Sequence, residues 1–312
     1  MTAADPVRAI ADAVLYEGYV LWPYRRSALK NTRRWTFGGV FPRAHAERHP
    51  DDRAVLRAEV LLDGAAAADV DVAVRFLHVV HRQVLLNGEP IDELRRDGER
   101  HLTWDEAVER EVGPGPLSIP AGTELEDLGG GAALERSWEA LEGAVEVTSA
   151  PAGDGLERLA VTVANTTPWT RTDREAALRR TCCSTHVVLA LDGGGFVSLT
   201  DPPAHARAAA AACRNEGCWP VLVGAPGSSD RVLASPVILE DHPRVAPESP
   251  GDLFDGGEID GMLVLNILAL TDEEKAEMRA SDPRTREILE RTEALTPEQR
   301  MRLHGAIREW AP

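Results

Sequence analysis

The feature that most constrains the fold of this chain is a run of alternating residues within 69–86. One set of positions, mostly apolar, consists of Val70, Val72, Val74, Phe76, His78 and Val80. The positions between them are Asp71, Ala73, Arg75, Leu77 and Val79. A period of two residues places the two sets on opposite faces of an extended chain. The run therefore predicts a β-strand, which follows an apolar stretch at 57–62 and a turn at 63–65.

A second pair of predicted strands runs from Leu134 to Thr148 and from Leu156 to Thr166. The turn between them is Gly153-Asp154-Gly155, which is a strong hairpin signal. Several strands joined by turns that contain glycine and proline are typical of a sandwich or a barrel. We therefore predict that residues 1–172 form a β-sandwich-like domain that includes the N-terminal segment.

The rest of the chain mixes strand and helix signals. Short apolar runs predict strands at 185–191, 219–223 and 232–239, and an alanine-rich run predicts a helix at 203–214. Beyond Pro250 the helix start signals are Thr271 with Glu274, Pro283 after Asp282, and Thr296 with Gln299. We predict that residues 173–312 form a mixed α/β domain with C-terminal helices. The predicted fold class is α+β.

The charge balance argues against several classes of partner. The chain has 34 basic and 51 acidic residues, which gives a formal net charge of −17. Nucleic acids and anionic membranes attract positive surfaces, so neither is expected as a partner. The N-terminus lacks the basic and apolar regions of a signal peptide, and the longest apolar run, Met262 to Leu270, is about half as long as a membrane span. We expect a cytoplasmic protein without membrane insertion.

The segment from Tyr16 to Phe41 has an unusual composition. It holds all three tyrosines of the chain and a cluster of cations. Arginine together with tyrosine and tryptophan is typical of binding hot spots, because the rings offer a large rigid contact area and guanidinium binds carboxylate or phosphate through two hydrogen bonds. The candidate residues for binding a partner or an anion are Tyr19, Trp22, Tyr24, Arg25, Arg26, Lys30, Arg33, Arg34 and Trp35. The alternative is that the rings fill a core and the cations neutralise acids of the same chain.

The cysteines offer a second candidate site. Thiolates and imidazoles are ligands of zinc and of iron–sulfur clusters. The candidate metal ligands are Cys182, Cys183, His186, Cys213 and Cys218. Their spacing fits poorly, because adjacent cysteines rarely reach one metal and no C-x2-C motif is present. Free buried thiols are the commoner outcome, so the sequence predicts neither a metal nor another cofactor.

Known catalytic signatures are incomplete. His45-x3-His49 lacks the glutamate of a zinc-protease helix, and His78 and His81 lie three residues apart in a strand, which points their rings to opposite faces. The simpler interpretation is that each of these four histidines is a structural or surface residue. The glycine-rich stretches at 193–195 and 224–227 contain neither a dinucleotide fingerprint nor a P-loop lysine. The sequence leaves open whether the chain is an enzyme.

Two stretches carry a resemblance to a known group of proteins. YEGYVLWPYRRSALKNTRRWTFGGVFP (16–42) and DLFDGGEIDGMLVLNILALTDEEKAEMRASDPRTREILERTE (252–293) resemble actinobacterial proteins associated with gene clusters of uptake NiFe hydrogenases. THVVLALDGGGFVSLTDPP followed by WPVLVG fits the same picture. The resemblance covers roughly a third of the chain and implies a context, metalloenzyme maturation or assembly, but no catalytic residues.

The function that we predict from the sequence is that of a non-catalytic accessory or assembly protein. Its partner would be another protein, and the resemblance points to a hydrogenase subunit or maturation factor. The alternative function is a metal-dependent enzyme or metal carrier that uses the Cys and His residues of the second half. A module that binds a small anion through the same arginines is a third class.

Overall fold

In a computed structural model of the chain, the described residues are 6–16, 25, 37–64, 67–243 and 260–298. They form mostly antiparallel β-sheets with some helices. The strands are β1 (Val55–Asp63), β2 (Val70–Leu86), β3 (Glu89–Ile91), β4 (Glu93–Arg96), β5 (Glu99–Leu102), β6 (Trp104–Val112), β7 (Gly115–Ile119), β8 (Gly122–Gly129), β9 (Ala132–Trp138), β10 (Leu141–Gly153), β11 (Leu156–Asn165), β12 (Cys183–Leu191), β13 (Gly195–Val197), β14 (Trp219–Leu222) and β15 (Arg231–Ser235). The helices are α1 (Pro6–Leu15), α2 (Arg43–Ala46), α3 (Arg174–Leu178), α4 (Arg207–Ala211), α5 (Asp260–Leu268), α6 (Asp272–Ser281) and α7 (Pro283–Glu293).

Two large sheets form the body of the protein. The five-stranded sheet has the order β13-β1-β11-β10-β7. The eight-stranded sheet has the order β14-β15-β12-β2-β9-β8, and β3 and β6 also pair with β2. β4 and β5 form a separate hairpin. Apolar residues of both large sheets, such as Leu56 and Val161 on one and Phe76 and Val187 on the other, belong to one buried cluster, so the sheets pack face to face as a sandwich.

The predicted strands of the first half are confirmed with one difference. The alternating run is β2, and β10 and β11 form the predicted hairpin, but the predicted strand from Leu134 to Thr148 is divided between β9 and β10. β9 pairs with β2 and β8 in the other large sheet. The hairpin turn has Asp154 at φ 51° and Gly155 at φ 79°, the left-handed conformation that this turn signal predicts. From Phe76 to Val80 every residue of β2 is buried, because one face of the strand meets the sandwich core and the other meets the helices.

The division at residue 172 does not describe how the strands pair. β12, which follows that residue, pairs with β2, and β13 pairs with β1. Both sheets therefore contain strands from each side of the predicted boundary, and the two halves share one core. The strands of the predicted mixed α/β half also pair antiparallel. β12 lies beside β2 in the eight-stranded sheet, β15 lies beside β12, and β14 lies beside β15 at the edge. The predicted helix at 203–214 is reduced to α4.

The predicted C-terminal helices are confirmed for the described residues. Thr271 and Glu274 form the predicted capping box of α6, and Asp282 caps α7 with Pro283 in its first turn. The third start signal, Thr296 with Gln299, extends outside the described residues. Helices α5, α6 and α7 contribute to a second buried cluster that covers the outer face of β2 around Leu77 and Val79. None of the helices in the described part of the chain is long and apolar enough to span a bilayer.

Candidate functional site

Of the nine candidate residues in the N-terminal segment, the structure describes Arg25. Its Nη1 lies 2.8 Å from Glu274 Oε1 at the start of α6, and the two side chains are 22% and 31% exposed. The other eight candidates lie outside the described residues: Tyr19, Trp22, Tyr24, Arg26, Lys30, Arg33, Arg34 and Trp35. Arg25 thus meets a carboxylate of its own chain, as the intramolecular alternative requires, but it does so at the protein surface.

The two ends of the segment are anchored in the protein interior. Tyr16 is 4% exposed and Phe41 is 3% exposed, and both belong to the cluster beneath helices α5 to α7. The Arg284 guanidinium lies 5.0 Å from the centre of the Tyr16 ring. These two aromatic residues therefore pack in the core, whereas Arg25 is partly exposed.

The candidate metal ligands are not brought together. Cys182 lies in the sandwich core while Cys183, the next residue, lies in the cluster on the other side of the sheet. His186 is buried, and its Nδ1 lies 2.5 Å from the Ser184 carbonyl oxygen. Within the described residues, which include all of these candidates, no group of three or more metal-ligating side chains is assembled. The geometry gives no support to the metal-dependent alternative.

All four cysteines are free thiols, and we expect them to differ sharply in reactivity. Cys182, Cys183 and Cys218 are buried, whereas Cys213 is partly exposed. Burial raises the pKa of Cys218 to about 12 and also raises the pKa of Cys182 and of Cys213, so the reactive thiolate is scarce in the folded protein.

A disulfide-exchange reagent should therefore modify at most one thiol in the native protein, at Cys213, and four after denaturation. Peptide mapping of the labelled sites checks this, and Cys213→Ser should abolish the native reaction. Rapid native labelling of Cys182 or Cys183 would contradict the buried positions of these thiols.

The histidine pair near α2 is structural. The rings of His45 and His49 are stacked with their centres 4.2 Å apart, and Nε2 of His45 lies 2.9 Å from Asp52 Oδ2. Arg174 also binds Asp52, which ties the start of α3 to this loop. The pair therefore stabilises the connection between β1 and the helices, which agrees with the interpretation of these histidines as structural.

A row of polar side chains crosses the eight-stranded sheet where the sequence predicted none. His81 of β2 is paired directly with Asp105 of β6 on one side and with Ser137 of β9 on the other. Ser137 is in turn paired with Thr123 of β8. Residues that are directly opposite in antiparallel strands project from the same face of the sheet. The register therefore aligns Asp105, His81, Ser137 and Thr123 in one line.

The carboxylate in this row fixes the state of the imidazole. His81 Nδ1 lies 2.6 Å from Asp105 Oδ1, and Arg179 Nη2 lies 3.0 Å from the same oxygen. Burial by itself raises the pKa of Asp105, but the hydrogen bond from His81 and the charge of Arg179 outweigh it and lower that pKa below its ordinary value. Asp105 is then an anion that accepts a hydrogen bond from His81 Nδ1, and this bond fixes the orientation of the ring.

Three members of the row line a pocket of about 340 Å³, and Asp105 lies behind His81 outside the lining. His81, Thr123 and Ser137 line it together with Val79, Glu139 and Arg179. His78 is fully buried, whereas the His81 side chain is 29% exposed, which agrees with the opposite faces predicted for the two rings. The sequence offers no signal for this pocket, because the neighbours of His81 lie on other strands and their register is set by the fold.

Comparison with known proteins gives no residue assignment for this chain. No protein-family model matches it, and no curated protein matches it.

Proposed function

We propose that this chain is an accessory protein that binds a partner protein through the segment between Tyr16 and Phe41. The observation that supports the proposal is the position of the described residues of this segment. Tyr16 and Phe41 are buried in one cluster, and Arg25, between them in sequence, is partly exposed and paired with Glu274. Fixing the two ends of a binding segment lowers the entropy that its contacts cost.

The composition of the segment supports a protein as the ligand. Arg25, Arg26, Lys30, Arg33 and Arg34 place five cations in ten residues of an acidic chain. Arginine beside tyrosine and tryptophan is enriched where interfaces gain most of their binding energy. A basic and aromatic contact of this kind suits an acidic surface with apolar pockets on the partner.

The resemblance of 16–42 and 252–293 to proteins of hydrogenase gene clusters supports a partner class. Arg25 in the first stretch and Glu274 in the second form an ion pair, so the two stretches meet in space. We propose a hydrogenase subunit or a hydrogenase maturation factor as the partner.

The test is the double variant Arg33→Ala/Arg34→Ala in a pulldown from the native host. We expect the wild-type chain to capture a hydrogenase subunit or maturation factor and the variant to lose it, because two guanidinium contacts are removed from the interface. The free energy of unfolding should change by no more than about 1 kcal/mol, as for surface substitutions.

A matched control replaces Arg171 and Arg207, two exposed arginines of the described residues, by alanine. It changes the net charge equally and should keep the partner. If the Arg33/Arg34 variant is folded and still captures every partner, the binding role of these two residues is wrong. A loss of several kcal/mol of stability would instead favour the intramolecular alternative, in which they pair with acids of the same chain.

A further inference from the structure

We propose that the pocket beside β2 hydrolyses small carboxylic esters, with Ser137 as the nucleophile, His81 as the base that accepts its proton, and Asp105 as the group that orients His81. This activity goes beyond partner binding and does not depend on it. It adds a reaction to a chain whose sequence contains no complete catalytic motif.

The base is held in the orientation that the reaction requires. Asp105 Oδ1 lies 2.6 Å from His81 Nδ1, and Arg179 Nη2 lies 3.2 Å from the same nitrogen. A carboxylate only accepts, so in a neutral ring the proton lies on Nδ1, and the approach of Arg179 to that nitrogen is then a contact without a hydrogen bond. Among the described residues, Nε2 has no hydrogen-bond partner. A histidine that is oriented by a carboxylate and has its other nitrogen open to a pocket is the arrangement of a general base.

The nucleophile lies on the side of the ring that Nε2 faces. Asp105 and Ser137 flank His81 from the two neighbouring strands. We infer that Nε2 lies on the side of β9, because Nδ1 meets Asp105 on the opposite neighbour, β6. Directly paired residues of antiparallel strands have Cβ atoms about 4.5 to 5.5 Å apart. The Ser137 hydroxyl has no hydrogen-bond partner in the described part of the chain. It is therefore free to turn toward Nε2 when a substrate enters.

The reaction has two halves that balance. In the first, the Ser137 oxygen bonds to the ester carbonyl carbon and its proton passes to Nε2 of His81. The bond to the alkoxy oxygen then breaks, and the alcohol leaves with that proton. In the second, water adds to the acyl-serine and gives one proton to His81, and cleavage of the serine ester returns this proton to Ser137. One ester and one water become one alcohol and one carboxylic acid.

The pocket indicates the size and polarity of the substrate. A volume of about 340 Å³ lies at the small end of ligand sites, so it suits short acyl and alcohol groups. Arg179 binds Asp105 through Nε and Nη2, while its Nη1 has no partner among the described residues. A guanidinium group at the pocket wall is a donor for the negative charge that develops on the carbonyl oxygen.

A purely structural role for the row makes a different prediction. The Arg179–Asp105 pair also links the end of α3 to β6, and a linking ion pair does not make a serine reactive. Covalent labelling of Ser137 therefore separates the two readings.

A fluorophosphonate probe forms a bond between phosphorus and an activated serine oxygen and releases fluoride. We expect the native chain to be labelled at Ser137, as identified by peptide mass, and His81→Asn to lose most of the label because no base removes the proton. Ser149→Ala, in an exposed position of β10, is the matched control and should be labelled like the wild type. Absence of label at Ser137 in the folded wild-type chain would overturn the proposal.

Hydrolysis of p-nitrophenyl acetate gives the second readout. Ser137→Ala should lower the hydrolysis rate, after subtraction of the rate without protein, by about 100-fold. This is within the range seen when proton transfer or a nucleophile is lost. His205→Ala is the control, because His205 also lies beside a carboxylate, Asp63 at 3.4 Å, but does not line the pocket. An unchanged rate in folded Ser137→Ala would show that the pocket does not catalyse this reaction.

Discussion

Replacing Arg82 by alanine is expected to lower the free energy of unfolding by about 3 to 5 kcal/mol, the cost of breaking a buried ion pair. Arg82 is 7% exposed, and its Nη1 lies 2.9 Å from Glu106 Oε2. Its Nε donates to the Leu102 carbonyl oxygen at 3.0 Å, and its Nη2 donates to that of Ser281 at 3.1 Å. The variant leaves a buried carboxylate with half of its partners and three backbone carbonyls, those of Leu102, Ala280 and Ser281, without this donor.

The position of Arg82 explains why the effect should reach the helices. The side chain starts from β2, the longest strand, and ends at the last turn of α6. It therefore connects the eight-stranded sheet to the helical cluster that covers it. We expect limited proteolysis of the variant to begin in α6 and α7, because these helices lose a buried contact with the sheet.

Urea unfolding of Arg82→Ala beside Arg95→Ala provides the measurement. Arg95 also forms ion pairs, with Glu93 and Glu273, but its side chain is 57% exposed, so its removal should change stability little. Equal midpoints for the two variants would show that the Arg82 network does not support the fold.

The sequence predicted local structure well because its signals are local. The two-residue period of β2, the Gly153-Asp154-Gly155 turn and the capping box at Thr271 each depend on residues within a few positions of one another. Each of these elements is present in the structure. Their free energies come from nearby side chains and backbone groups, which a single sequence records.

The arrangement of the sheets could not be read in the same way. β2 pairs with β12, and the two strands are separated by nine others and by the predicted boundary at residue 172. Pairing over this distance is decided by which apolar faces fit together, and many strands of similar composition compete for it. The predicted boundary at residue 172 therefore does not coincide with a division in the strand pairing.

The pocket was missed for a related reason. The three proposed catalytic members of its row are one histidine, one aspartate and one serine from three strands, and each residue type is common on a sheet surface. Only the register of β6, β2 and β9 makes them neighbours. A shift of one residue in either pairing would turn Asp105 or Ser137 to the opposite face and remove the row.

β2 therefore has two roles beyond holding the sheet together. His81 lines the pocket, while the adjacent Arg82 is buried and reaches β5, β6 and α6. Because consecutive side chains of a strand alternate, a change at either residue can be made with little direct effect on the other. The stability prediction for Arg82 and the hydrolysis prediction for His81 can thus be tested separately.

Stability is expected to fall by roughly 4 kcal/mol when the pH is lowered from 7 to 5, owing to two buried histidines. His78 and His186 are both fully buried in the eight-stranded sheet. Burial, with a smaller effect of Arg110, lowers the pKa of His78 to about 4. Burial, together with the charge of Arg75, lowers the pKa of His186 to about 4 as well.

The direction of the effect follows from proton binding in the two states. An unfolded histidine binds a proton near pH 6.5, whereas these two histidines in the folded protein do so only near pH 4. Between these values the unfolded state holds more protons, so stability falls as the pH falls. Each histidine should cost about 2 kcal/mol at pH 5 and almost nothing at pH 7. Carboxylates with a lowered pKa, such as Glu59, act at more acidic pH and do not contribute in this range.

Urea unfolding at pH 7 and pH 5 measures the difference for the wild type and for His186→Gln. The variant should lose about half of the pH dependence, because His186 no longer titrates while His78 and, with a smaller contribution, His101, whose pKa burial also lowers, still do. Val187→Ala, at the neighbouring buried position of β12, should lower stability by the same amount at both pH values, since it removes apolar contacts and no titrating group. If His186→Gln keeps the full pH dependence while Val187→Ala behaves as expected, then protonation of His186 does not drive the loss of stability in acid.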